Sequence, residues 1–414
     1  MLEIESQLSM AVCKQYTEDN LVHVCPPGLR HHLYTVGALD NIDHNPSSTT
    51  AESSFHGTGI SLFQFPTQEN VGLQRSAISI QDSFGVQHTL PDIYTNVPAV
   101  VCDTKSLTVP ERSFDNMYES TGATLQEAKD KENDWITTAI ALLCKDNLEV
   151  GENVTWAAYH ASNMSDPINP PVINALLPLF YNKAASLAMI KHGMNVIMAA
   201  TSHLNPGQVA VMAVDQPLFA LAKFIQWKFP ETHGEDNMIV MFGGLHIEIA
   251  LWHLVGDLLD GSGWTTALCE SGVASSGTAE SFLRASHLTK TRHSHQVTLL
   301  TLEKLLDRAW QLRQNDTEDE TFQEWKKEMM KSSPTFRFWM MVLELEKLVL
   351  VFVRAQRTSN LNLYTACLEA LTPWFFALDK INYARWIPTH TTDMKLLSGE
   401  TKEALQKDGL RPKR

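Results

Sequence analysis

A chain of 414 residues has the length for roughly two or three domains of ordinary size, and an apolar share of 44% supplies material for a sizeable core. The formal net charge of −14 argues against a general polyanion binder while leaving room for a local basic patch. With 19% charged residues, below the ~25% usual in soluble domains, the chain is not a disordered polyelectrolyte.

The six cysteines stand singly, without a C-x-x-C pair, so neither a structural zinc site nor a disulfide framework is expected. Reduced thiols fit the cytosol or the nucleus. No apolar run approaches the ~20 residues of a membrane span. The acidic opening Met1–Ser6 lacks a signal core, so the chain reads as not secreted, and the sequons at Asn153, Asn163 and Asn315 carry no weight.

In chain order, residues 1–30 read as a helical segment over Glu3–Tyr16 and a turn at Pro26-Pro27-Gly28. The helix lacks a cap, as if more protein preceded Met1. Leu33–Leu39 reads as a strand that ends at Asp40, followed by a turn-rich loop from His44 to Thr50. Ile60–Phe65 is the second strand and Val97–Cys102 the third. Helical pattern fills Ser120–Asp146, a strand is expected at Val154–Tyr159, and Asn174–Ala200 reads as one or two apolar helices.

Gln208–Val214 is a short apolar run closed by Asp215. Pro217 then opens a helix through Trp227. Met238–Phe242 is the next strand, Gly243-Gly244 breaks it, and Leu245–Leu259 is a helix stopped by Gly261 and Gly263. From residue 265 to 385 the pattern is almost wholly helical, with an acidic linker at Asp316–Glu320 and a basic tip at Arg411–Arg414. The expected domains are the segment 1–30, an α/β core over 31–264 with a helical insertion about 104–205, a helical insertion or domain over 265–393, and a tail over 394–414.

The order is three strands, the first carrying Asp40, then helices, a fourth strand ending in Asp215, a helix, and a fifth strand followed by a helix carrying Glu248. It resembles the ribonuclease-H-like core of the transposase and retroviral-integrase superfamily. Asp215 and Glu248 are 33 positions apart, close to the interval common there. Longer phrases, among them Val36–Thr50, Phe55–Ser61, Phe242–Glu248, Thr291–Val297 and Asn382–Trp386, are similar to uncharacterised animal proteins that look like products of mobile DNA elements.

The resemblance implies a mixed sheet with a large helical insertion or C-terminal helical domain, and metal-dependent cleavage and transfer of DNA strands by Asp40, Asp215 and Glu248. The cofactor would be Mg²⁺ or Mn²⁺: two such ions roughly 3.5–4 Å apart clamp the attacking and leaving oxygens of a phosphodiester, and hard cations take oxygen ligands. Asp43 and His246 would support the three acids. DNA is the implied partner, with a homo-oligomer as a further expectation. Where a transposase has a helical insertion after its fifth strand, the third acid lies beyond it. Residues 265–385 can be such an insertion, which would leave Glu248 a bystander and the chain without catalysis.

Plainer roles stand beside these. Asp40 and Asp43 can brace a turn, Asp215 can cap the helix that follows it, and Glu248 can face a helix dipole. His246 and Glu248 form the H-x-E of zinc deaminases, but the P-C-x-x-C partner is missing, and no H-E-x-x-H, phosphate loop or nucleophile elbow occurs. Arg284, His287, Lys290, Arg292, His293 and His295 make one basic run, able either to grip a phosphate backbone or to sit solvated at a helix end. Trp374, Phe375, Phe376, Tyr383, Arg385 and Trp386 offer a stacking platform or a helical core. Two further readings stay open: a nucleic-acid- or protein-binding module that kept the fold without the chemistry, and an unrelated α/β protein whose acids are caps.

Overall fold

A computed structural model describes residues 24–44, 55–75, 90–101, 121–143, 155–164, 170–315 and 320–406, with 7–8, 11–12, 107, 109 and 111. The elements are β1 (Thr35–His44), β2 (Phe55–Gln64), α1 (Asp92–Thr95), α2 (Thr121–Leu143), α3 (Trp156–Ser162), β3 (Ile173–Leu176), α4 (Leu187–Leu204), β4 (Ala210–Val214), α5 (Gln216–Lys228), α6 (Pro230–His233) and β5 (Met238–Phe242). They continue with α7 (Gly244–Leu259), α8 (Trp264–Glu270), α9 (Ser276–Leu283), α10 (Leu288–Gln314), α11 (Phe322–Ser332), α12 (Pro334–Arg357), α13 (Leu361–Ala377), α14 (Ile381–Leu396) and α15 (Gly399–Ala404).

Two compact units share the chain: Met1–Ser113, Pro167–Gly243 and Leu396–Arg414 form the first, and Phe114–Asp166 with Gly244–Lys395 form the second. The division follows the interleaving of these segments rather than a single break near residue 264.

The first unit is α/β. Its five strands are ordered β3-β2-β1-β4-β5. β1 pairs antiparallel with β2, and β2 with β3. β1 pairs parallel with β4, and β4 with β5. β4 and β5 are the unbroken apolar runs expected of parallel strands covered on both faces, and every residue of β5 is buried.

The amide of Gln208 fixes the register of β1 against β4. Its Oε1 accepts the Thr35 N–H at 2.9 Å and its Nε2 donates to the Thr35 carbonyl at 2.6 Å. On the other side the Gln64 amide donates to Thr35 Oγ1 at 3.1 Å. Helix α4, capped by Ser186, whose Oγ accepts the Met189 N–H, packs on β1 and β4. The approach is close because Gly37 and Gly193 face each other's elements: a side chain at Gly193 would run into Leu39, and one at Gly37 into Ile197.

Several sequence expectations are corrected here. β1 does not stop at Asp40 but runs on to His44 against β2. Val97–Val101 forms no ladder, and Cys102 lies outside the described residues. The third strand is β3, inside a stretch read as helical, and Trp156–Tyr159 belongs to helix α3 rather than a strand. Of the helix expected over Glu3–Tyr16, residues 7–8 and 11–12 are described and helical. The rest of that helix, the loop 45–50, Val154, Asp316 and the tip 411–414 lie outside the described residues.

The second unit is helical. α12 is its axis, buried almost all round from Val342 to Ala355, and packs on α2, α7, α10, α11 and α13. A capping box starts α11, with Thr321 and Glu324 each satisfying the other's backbone. Among the described residues Cys25, Cys269 and Cys367 form no disulfide. No described helix is long and apolar enough to cross a membrane.

Candidate functional site

The parallel ladder pairs Val36 with Val211, Gly37 with Met212 and Ala38 with Ala213. Asp40 lies two residues further along β1, and Asp215 two residues beyond Ala213, just past the end of β4. Alternation puts Asp40 on the same face as Ala38. Neighbouring strands run about 4.8 Å apart, so the two acids stand at the same end of adjoining strands. Gly59 pairs with Asp40 on β2, and beyond Asp215 comes Gly243, whose N–H donates to the Val214 carbonyl at 2.7 Å. Burial falls along this face toward the acids: Val36 and Val211 are buried, Ala38 and Ala213 half-buried, Asp215 half-buried and Asp40 exposed.

Asp215 also does the plainer job. It is the N-cap of α5, its Oδ1 accepting the Leu218 N–H at 3.1 Å, with Pro217 in the first turn. Capping uses one carboxylate oxygen and fixes the direction of the other. Asp215→Ala is expected to cost about 1 kcal/mol of stability, whereas Asp215→Asn, an equally good cap, should cost a few tenths at most; urea unfolding of the two variants checks this. Asp40 Oδ1 accepts the Asn41 N–H at 2.8 Å. Asp43 is three residues on and therefore on the opposite face, where it meets His56, its cross-strand partner, at 2.7 Å.

Glu248 belongs to the second unit. It is 2% exposed, one turn into α7. The Arg292 guanidinium, from α10, forks onto both carboxylate oxygens, and Trp252 Nε1 donates to Oε1 at 2.9 Å. A bidentate charge-assisted pair of this kind is among the strongest side-chain interactions available. His246 is half-buried, and its carbonyl accepts the Tyr383 hydroxyl at 3.4 Å.

The basic run divides by helical face. Arg284, His287, Lys290 and His293 are exposed. Arg292 turns inward to Glu248, and His295 is fully buried. The His295 ring lies flat between Trp252 and Trp264, with centroids 4.5 and 4.9 Å away and planes tilted by 14° and 15°. Its Nδ1 meets Glu346 Oε1 at 2.7 Å. Burial raises the Glu346 carboxyl above the ordinary glutamate range, against the pull of His295. Of the aromatic set, Phe375 is buried and stacked on Tyr383, while Phe376 is exposed.

One centre escaped the sequence reading. Glu132, 1% exposed on α2, accepts from Arg354 Nε and from Trp156 Nε1, each at 2.7 Å, and meets His160 Nε2 at 3.1 Å. Arg354 donates in addition to the Ala128 carbonyl. The available signal was an acid inside the apolar stripe Ala128, Trp135, Ile136 and Ala139, where a charge needs a partner.

As donors, two aspartates supply hard oxygens of the type that suits Mg²⁺ or Mn²⁺, and Mg²⁺ is commonly held by one or two carboxylates plus water. Among the described residues no three His, Cys, Asp or Glu side chains converge to hold a metal.

The class defined by these features is an α/β protein with a mixed five-stranded sheet and a helical second unit. The chain belongs to the family of the domain of unknown function DUF8702, whose model matches residues 155–324 and 313–408. No curated protein and no solved structure matches it.

Proposed function

We propose that this chain is a transposase-derived protein whose first unit is a ribonuclease-H-like core, ancestrally a metal-dependent enzyme of DNA strand cleavage and transfer, with Asp40 and Asp215 as the metal-holding pair. One observation carries the reading: β1 and β4 are neighbouring parallel strands, and the two acids lie at the same end of them, each two residues past the last paired position. The sheet order β3-β2-β1-β4-β5 supports it, since the resemblance calls for the first strand to lie beside the fourth.

In this reading the aspartates bind and orient the cation, and the α5 cap holds Asp215 in position for it. A bound ion would polarise a phosphoryl oxygen and lower the pKa of a coordinated water. Arg284 and Lys290, exposed on the second unit, give that unit positive charge of its own for phosphate contacts.

A second reading, a nucleic-acid- or protein-binding module that keeps the fold without cleaving, draws support from Glu248. Its carboxylate is committed to Arg292 and Trp252. The test is nicking of supercoiled DNA by the full chain in Mg²⁺ or Mn²⁺. Activity that disappears in Asp215→Asn, with stability retained, is the expected result of the enzymatic reading. Metal binding without nicking favours the module. A wild-type chain that neither binds the metal nor nicks removes the proposal.

A further inference from the structure

We infer that the second unit keeps one proton in the buried His295–Glu346 pair through neutral pH and loses stability as that proton leaves, a pH-sensitive device built into its core. Four helices close around the pair. The His295 ring, from α10, is held flat between the indoles of Trp252 on α7 and Trp264 on α8, and Glu346 comes from α12. Both side chains are 0% exposed. The hydrogen bond between them, Nδ1 to Oε1 at 2.7 Å, leaves His295 Nε2 and Glu346 Oε2 without hydrogen-bond partners among the described residues.

The chemistry of the pair follows from that enclosure. One proton between the two groups gives either imidazolium with carboxylate or imidazole with carboxylic acid, and both combinations are neutral overall. Withdrawing it leaves a carboxylate in the core with one donor and no counter-ion, which is the costly arrangement. Burial accordingly raises the Glu346 carboxyl above the ordinary range, and the electron-rich faces of two indoles favour positive charge on the ring between them. The neighbouring charges are engaged elsewhere. Arg292 of α10 pairs with Glu248 of α7, and Lys347 of α12 with Glu303 of α10. On α2, Glu132 is neutralised by Arg354, and Lys129 reaches Glu344. The acids of α8 and α9, Glu270 and Glu280, are exposed. Above about pH 6.5 a solvated histidine is deprotonated, so the unfolded chain has given up a proton that the folded pair still holds. Stability then falls as pH rises, by about tenfold in the folding equilibrium constant for each pH unit, until the folded pair releases its proton as well.

Urea unfolding of the full chain at pH 7 and at pH 8, followed by tryptophan fluorescence, tests this. All the tryptophans but Trp227 lie in the second unit, so the signal reports on that unit. Glu346→Gln keeps the size of the side chain and removes its capacity to hold the proton. The wild-type folding equilibrium constant divided by that of Glu346→Gln is expected to fall about tenfold between the two pH values. Should Glu346→Gln fail to fold, His295→Phe with Glu346→Leu replaces the pair as a unit, keeps a ring between the indoles and takes its place, with nearly the same fall expected. A fall of threefold or less would overturn the inference, since the folded pair would then hold no proton that the unfolded chain has lost.

Discussion

Replacing Arg292 with methionine is expected to destabilise the second unit by about 3–5 kcal/mol, because it leaves the Glu248 carboxylate buried without its counter-ion. Most of that cost is desolvation of the orphaned charge rather than the worth of the contact. The double change Glu248→Met with Arg292→Met should therefore recover most of the loss and unfold within about 1 kcal/mol of the wild type. Arg292→Lys should fall between, since an ammonium reaches one oxygen where the guanidinium reaches two. Urea midpoints of the four proteins decide it. Equal losses in the single and double methionine variants would mean that Arg292 contributes packing and not charge.

The second large effect lies at Glu132. Glu132→Ala strands the Arg354 guanidinium and the Trp156 indole in the core, at a cost of about 3–5 kcal/mol. Burial alone would raise the Glu132 carboxyl, but hydrogen bonds and charge from His160 and Arg354 outweigh burial and hold it below the ordinary range. The sign follows. A depressed folded value lends stability that is present above the unfolded value, about 4.3, and drains away as pH falls through the folded one. Glu346 has the opposite sign: raised by burial, it lends stability that is full below the unfolded value and is lost as pH rises through the folded one. Urea midpoints followed from about pH 7 downward should show an acid limb that flattens in Glu132→Gln. A limb of the same steepness in both proteins would assign the acid sensitivity to other carboxylates.

The parts of the fold that were legible in the sequence are those with a strong local signal. β4 and β5 are unbroken apolar runs, and Asp215 with Pro217 marks the start of α5 as plainly as any cap can. β3 was not legible. Its Ile-Asn-Ala-Leu lacks the β-branched density of a strand, and what makes it one is its ladder with β2. Val97–Val101 is the converse, rich in valine but without a neighbouring strand to pair with.

The two aspartates drew notice in the sequence because each sits at the edge of an apolar run. The register of β1 against β4 was not readable, since it depends on Gln208 bracing Thr35 across 173 positions. Arg292 and His295 were grouped with exposed cations because a run of basic residues carries no mark of which face each one takes. The neighbours held the clue: Thr291, Ser294, His295, Thr298 and Leu299 share one helical face, and all five are buried.

The interleaving of the units also bears on how the protein is made. A ribosome that has finished β1, β2 and α1 must next emit α2 and α3, which belong to the other unit, and only later delivers β3, β4 and β5. The sheet therefore waits on its partners with β2 and β1 open to wrong pairings. Meanwhile the buried faces of α2, Trp135 and Ile136 among them, wait for α12, some two hundred positions downstream. A chain with so much sequence between its contacting parts gathers slowly and is exposed to aggregation as it does so. Severing it between β2 and β3 would part the strands of the sheet, so the cut would fall across the first unit.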